Sequence, residues 1–236
     1  MISAIVISFF DHSYIKECIA SLAFVDDIII IGKIDPTVLT EIQHRQPIQF
    51  IESQYIDIDF LLEKASSNAS HDWIVGLEAN QCVSKELSEE ITKIAMNPDL
   101  LGKYKAKTRF NFMGELLKFS GYRTRYTSLL FHKNSLGTKI AAKKLKSPIE
   151  ELYIDFDRYN ERLTTKAKLR AQDLYINKIR PNFFHFSWNP LWELKKIFIF
   201  KLGFLDGKEG FVFAYLKAFE EFKTYLFLWL MYRNIE

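Results

Sequence analysis

Apolar and polar positions over residues 1–97 follow two rhythms that take turns. "ISAIVISF" (2–9) and "DDIIIIG", closed by Gly32, are continuous apolar runs of the kind a strand buried on both faces shows, "DWIVGL" is another such strand, and "IQFIES" reads as a further strand. Between them the spacing turns helical. In "SYIKECIASL", Ile15, Cys18, Ile19 and Leu22 recur at i, i+3, i+4 and i+7, with Ser13 as the cap. "PTVLTEIQHR" opens on Pro36, suited to a first helical turn, and "DIDFLLEKASS" sets Ile58, Leu61, Leu62 and Ala65 in register. "SKELSEEITKIAM" sets Leu87, Ile91, Ile94 and Ala95 on one side. The resulting β-α-β-α-β-α-β-α order predicts an α/β fold with a parallel, doubly wound sheet and right-handed crossovers. Ligands of such sheets bind beyond the carboxyl ends of the strands, so "FFDHS", "GKIDPT" and "EANQCVS" face the expected site.

The rhythm then changes. "KYKAKTRFNFMGELLKFSGYRTRYTSLLFHK" carries short β-like runs around Gly114 and Gly121, which predicts antiparallel strands and hairpins. From about residue 148, "PIEELYIDFDRYNERLTTKAKLRAQDLY" reads as helical, and aromatic residues crowd the chain from about 186. The boundary expected from this is a nucleotide-binding-like α/β domain over 1–147 and a helical C-terminal region over 148–236.

The chain has 236 residues, 48% apolar and 26% charged, ordinary for a water-soluble fold with a sizeable core. A net charge of +3 is too slight to argue for nucleic acid. The basic residues are spread out, with one local cluster at Lys139–Lys146, read as a solvated surface with a phosphate or anionic-lipid contact as the alternative. The two cysteines, Cys18 and Cys82, have no CxxC spacing, which argues against zinc and against a disulfide framework and fits a reducing, cytoplasmic setting. The apolar N-terminus lacks a basic region and meets Asp11 quickly, so it reads as a strand and not a signal peptide. No run reaches the roughly 18 apolar residues of a spanning helix.

The order of segments resembles the family 2 glycosyltransferases, in particular the branch acting on lipopolysaccharide core or similar envelope glycans. The resemblance is carried by "AIVISF", "CIASLAFVDDIIII", "DWIVGLEANQCVSKELSEEI", "RFNFMGELLKFSGY" and above all "FKLGFLDGKEGFVFAYLKAFEEFKTY". It implies a GT-A fold with an aromatic-rich helical extension, a nucleotide-sugar donor, a saccharide or lipid-linked glycan acceptor, and Mg²⁺ or Mn²⁺ on the diphosphate. It implies Ser8, Phe10, Asp11, Asp35, Glu78 and Arg109 at the nucleotide sugar and Glu78 and Asn80 at the metal; Arg123 and Arg125 are the candidates to join the nucleotide-sugar set, and, since the family's His-Glu pair has no clean match, Glu150 or Glu151 is the candidate base that takes the acceptor proton.

The departures fall on the chemistry. Where the family has "DADE", this chain has Glu78-Ala79-Asn80-Gln81, a degenerate DxD with one carboxylate; the other reading is a polar strand-to-helix turn without metal. The loop after Gly32 is shortened, so Asp35 either touches the nucleoside or starts a helix. Asp11 and His12 either meet the nucleotide or cap a helix. Leu129 stands where the family has an arginine, for which Arg123 or Arg125 substitutes unless both face solvent. Glu150 and Glu151 are either the base or an exposed pair in a first helical turn, favoured there by the helix dipole. Two functions follow as expectations: sugar transfer, metal-independent if Lys33, Arg123 or Arg125 neutralises the leaving group, or a non-catalytic homologue that binds glycan or scaffolds a partner. Residues 190–232 mix Trp, Phe and Leu with lysines, and are expected to lie in the membrane interface on the cytoplasmic face or to pack on the sheet domain or on a partner subunit.

Overall fold

The computed structural model describes residues 1–8, 14–32, 47–53, 58–97, 101–153 and 156–235. They form two compact units, Met1–Arg109 with Arg125–Leu152, and Phe110–Thr124 with Tyr153–Glu236.

In the first unit, β1 (Ile2–Ser8), β2 (Asp27–Gly32), β3 (Ile48–Glu52) and β4 (Trp73–Glu78) pair in parallel in the order β3-β2-β1-β4. The sheet continues with β8 (Tyr126–His132), antiparallel to β4, then β6 (Lys103–Phe112), β10 (Ile149–Tyr153) and β5 (Gln81–Cys82). The two-residue β9 (Lys143–Lys144) runs parallel to β6. Helices cover both faces of the parallel strands, which is why every residue of β1 and β2 is buried. Ala4, Val6, Ile28 and Ile30 meet Ile15, Cys18 and Leu22 around α1 (Ile15–Ala20) and Leu87 and Ile91 of α3 (Lys85–Ala95). Ile5, Ile7, Ile29 and Ile31 meet Leu61, Leu62 and Ala65 of α2 (Ile58–Ser66) on the other face. The chain therefore has the expected α/β architecture, with helices on both sides of the parallel strands and a helical C-terminal extension. The expected helix over "PTVLTEIQHR" lies outside the described residues.

One expectation is corrected. Residues from 148 do not begin a helix: Ile149–Tyr153 is a strand, and the helix begins at Phe156. Its neighbours decide this, because β10 pairs antiparallel with β5, Glu150 opposite Cys82 and Glu151 opposite Gln81. Five residues are too few for periodicity to separate strand from helix.

In the second unit, β7 (Glu115–Leu117) forms a hairpin with the end of β6, and α4 (Phe156–Ile176), α5 (Phe183–Lys195) and α6 (Gly207–Tyr232) follow. Phe110, Phe112, Tyr122, Tyr159 and Phe213 make its aromatic core; the Phe110 and Tyr122 rings stack at 4.8 Å. A π-turn (Lys196–Phe200) and a 3-10 turn (Gly203–Asp206) reverse the chain between α5 and α6. There the Asp206 carboxylate accepts hydrogen bonds from the Lys118 and Phe119 N–H groups and from Ser120 Oγ, the last at 2.6 Å. The "FKLGFLDGKEGF" stretch thus folds as a knot that ties the hairpin to the helical reversal.

Candidate functional site

The strands after β1 run outward on one side to β2 and β3, while β4 lies on the other side of β1. Ligands of doubly wound sheets bind at such a reversal, beyond the carboxyl ends of the strands, here those of β1 and β4. Ser8 ends β1 there. It faces Gly32 on β2, where φ is +140° and a Cβ would lie 2.3 Å from the Ser8 carbonyl oxygen, so only glycine fits. Ser8 Oγ is buried and has no hydrogen-bond partner among the described residues.

Glu78 ends β4, and the chain turns at once. The Glu78 N–H donates to Gln81 Oε1 at 3.0 Å, so the Gln81 side chain closes the turn over the strand end. Ala79 N–H donates to the Ile7 carbonyl, and Val83 N–H to Ser21 Oγ. Ser84 then caps α3 by accepting from Leu87 N–H. Asn80 is buried at 2% exposure; its carbonyl accepts from Leu152 N–H, and its Nδ2 has no partner among the described residues. A buried side-chain amide or hydroxyl left unpaired is uncommon.

Strand β10 brings both glutamates to this turn. Glu150 Oε1 lies 3.3 Å from Arg109 Nη1, and Glu151 Oε2 lies 3.6 Å from Arg125 Nη2. The two pairs differ in burial. Arg109 and Glu150 are half-exposed, so their attraction contributes little. The Glu151 side chain is only 4% exposed, and the Arg125 guanidinium offsets part of the cost of burying it. The structure therefore gathers Glu78, Asn80, Glu150, Glu151, Arg109 and Arg125 in the first unit. Arg123 is exposed on the Tyr122–Thr124 turn of the second unit. Phe10, Asp11 and Asp35, with His12 and Lys33, lie outside the described residues.

The role of Gln81 and the approach of Cys18 to the turn escaped the sequence reading, whereas Cys82 stands in the turn as the sequence has it. Gln81 holds the turn, although it stood in the quoted stretch. Cys18 Sγ is 3.9 Å from the Glu78 carbonyl oxygen. Burial pushes the Cys18 thiol well above its ordinary value. Burial, and then the charges of Glu17 and Glu150, push Cys82 up to about 11. Both shifts favour the thiol over the thiolate at neutral pH.

The expected divalent ion needs one or two carboxylates in reach of the diphosphate. At the turn the described residues offer Glu78 alone, since Glu150 and Glu151 each face a guanidinium, and no group of three His, Cys, Asp or Glu among the described residues is arranged to hold a metal. Among the described residues the turn therefore offers Mg²⁺ or Mn²⁺ a single carboxylate, the lower of these counts.

No family model matches the chain. Among solved structures it is similar to S. aureus TarS 1-349, at 13% identity and a TM-score of 0.41 over 99% of this chain and 91% of that one. It is similar to HddC from Yersinia pseudotuberculosis, at 8% identity and a TM-score of 0.42 over 69% and 98%. A third likeness is to Rv0371C of Mycobacterium tuberculosis H37Rv in complex with manganese, at 9% identity and a TM-score of 0.40 over 67% and 95%.

Proposed function

We propose that this protein is a glycosyltransferase of GT-A type that moves a sugar from a nucleotide-sugar donor to a saccharide or lipid-linked acceptor of the cell envelope, in lipopolysaccharide or polysaccharide biosynthesis. The observation that carries the reading is the strand register that sets Glu150 and Glu151, on opposite faces of β10, beside the Glu78–Gln81 turn. The resemblance to the family 2 glycosyltransferases supports it. In this reaction the bond from the sugar C1 to the nucleoside diphosphate breaks, and a bond from the acceptor oxygen to C1 forms. The acceptor proton passes to Glu150, the more accessible of the two glutamates. Arg125 and Arg109 stabilise the charge that collects on the departing diphosphate, and no step depends on a divalent ion. Ser8 Oγ and Asn80 Nδ2 hydrogen-bond the donor.

The acceptor side of the proposal includes the bilayer. Within residues 190–232, Trp192, Phe200, Phe204 and Tyr215 are 49%, 68%, 47% and 58% exposed, and Lys195, Lys201 and Lys208 lie between them in sequence, also exposed. No described helix is long and apolar enough to cross a membrane. An aromatic face flanked by lysines suits the headgroup boundary, so residues 190–232 rest peripherally on the inner face of the cytoplasmic membrane, beside a lipid-linked acceptor.

Calorimetry with UDP-, GDP-, ADP- and dTDP-sugars, with and without Mn²⁺, tests the donor site. Saturable heat with one of them, weakened in Glu78→Ala, is expected; no heat with any sinks the proposal. The pairing of both glutamates with arginines favours a second reading, a non-catalytic relative that binds glycan. Sugar transfer that disappears in Glu150→Gln rules that reading out.

A further inference from the structure

Strand β6 reads "KYKAKTRFNF", and its alternation sorts charge from core. Tyr104, Ala106 and Thr108 point inward and are buried, while Lys103, Lys105, Lys107 and Arg109 share the opposite face. Helix α2 covers the end of that face where Phe131, opposite Lys103, is buried with Leu61 and Leu62, and from Lys105 onward two other strands add to it. Lys105 is in register with Lys144 of β9 on one side and with Ser128 of β8 on the other, and Lys107 is opposite Tyr126. The Lys144 and Lys105 ammonium groups both sit over the Tyr126 ring, 4.7 and 5.7 Å from its centre.

Like charges side by side on a sheet destabilise it, and one tyrosine face offsets only part of that cost. Among the described residues no carboxylate pairs with Lys103, Lys105, Lys107, Lys143 or Lys144; Lys103 Nζ donates to the Thr138 carbonyl instead. The row is also directed. From Lys103 to Arg109 it spans about 20 Å along the strand, and it ends at the Arg109–Glu150 pair of the candidate site.

We infer that the solvent face of β6, β8 and β9 is the acceptor track, and that the acceptor it fits is a phosphate-bearing saccharide. The inference rests on the transferase reading and names its substrate class. Paired lysines attract a phosphate as point charges, and a row of them concentrates an anionic chain along one line toward the reacting centre. Two features of the face select among polyanions. Tyr126 is already covered by ammonium groups, and Phe131, opposite Lys103, is buried, so neither described aromatic side chain offers a bare ring for a nucleobase to stack on. Across the first unit's residues 103–109 and 125–150, the large apolar side chain that stands exposed is Ile140, too little to insert into a bilayer.

The test uses the full chain, no donor, and phosphorylated pentamannose as the probe, set against the same pentamannose after phosphatase treatment. The phosphorylated form should bind about ten-fold more tightly at low salt. That preference should vanish in K105E/K144E and shrink in the milder Lys107→Gln, with melting temperatures checked for all three proteins. Equal binding of the two sugars overturns the inference. So does retention of the preference by both folded variants. A single-stranded oligonucleotide of the same charge, or phosphatidylglycerol vesicles, binding as tightly and with the same sensitivity to K105E/K144E would overturn it in favour of those partners. Because donor is absent throughout, loss of the donor site and loss of this track are separate outcomes.

Discussion

A Cβ atom built on Gly210 would lie 1.9 Å from the carbonyl oxygen of Gly203. The first turn of α6 therefore packs directly on the 3-10 turn before it, and the closeness keeps Asp206, between them in sequence, where it can accept from Lys118, Phe119 and Ser120. The clash partner is backbone and cannot rotate away, so Gly210→Ala should cost at least the 1–3 kcal/mol typical of overpacking, roughly. Chemical denaturation is the measurement. A loss below about 0.5 kcal/mol would mean that the reversal yields easily.

Removing Arg125 should be more damaging than removing its partner's charge. In Arg125→Ala the buried Glu151 carboxylate loses a cation, a defect on the order of 3 kcal/mol. Glu151→Gln should cost less, and the double variant should recover much of the loss. A double-mutant cycle on unfolding free energies reads the coupling directly; additive losses would show that the 3.6 Å pair does not matter.

Glu90 gives a pH signature. Burial alone would raise its carboxyl, but the N–H groups of Lys146 and Ser147 donate to it and together hold it below the ordinary carboxylate value. A depressed acid contributes stability that is fully present above its unfolded value of about 4.3 and is lost as pH falls through the lower folded value. Glu90→Gln should therefore be less stable than the parent at pH 7, with the gap closing below about pH 4. The two residues it holds lead straight into β10, so the variant should also loosen Glu150. A gap that is constant with pH would contradict the assignment.

The aromatic face of the second unit should partition onto lipid. Trp188→Glu with Phe200→Glu exchanges two of the most exposed rings for charges that lipid headgroups repel. Co-sedimentation with phosphatidylglycerol vesicles should drop about ten-fold, while the melting temperature stays near that of the parent because neither ring is buried. Unchanged sedimentation would remove the membrane from the proposed function.

Much of the scaffold was legible because burial writes itself into sequence. The apolar run Ile28 to Ile31, closed by Gly32, reads as a strand covered on both sides, and Leu87, Ile91 and Ile94 recur at helical spacing. The turn from Glu78 to Gln81 was equally visible as a break in that pattern. The strand at Ile149–Tyr153 was not, since a pair of glutamates after a proline also suits a helix start. The basic row was half visible: the period-two rhythm of Lys103, Lys105, Lys107 and Arg109 stands in the chain, but nothing local ties it to Lys144.

Sequence alone determined the alternating parallel strands and helices, the polar turn that ends β4, and the aromatic surplus of the last 50 or so residues, because each of these is fixed by the local sorting of side chains between water and core. Tertiary structure decided that Glu150 and Glu151 stand beside that turn, each opposite an arginine, and that two lysines about 40 residues apart share one tyrosine ring. Pairings of that kind come from strand register between distant segments, and register is set by the whole sheet closing at once, which no single stretch of residues encodes.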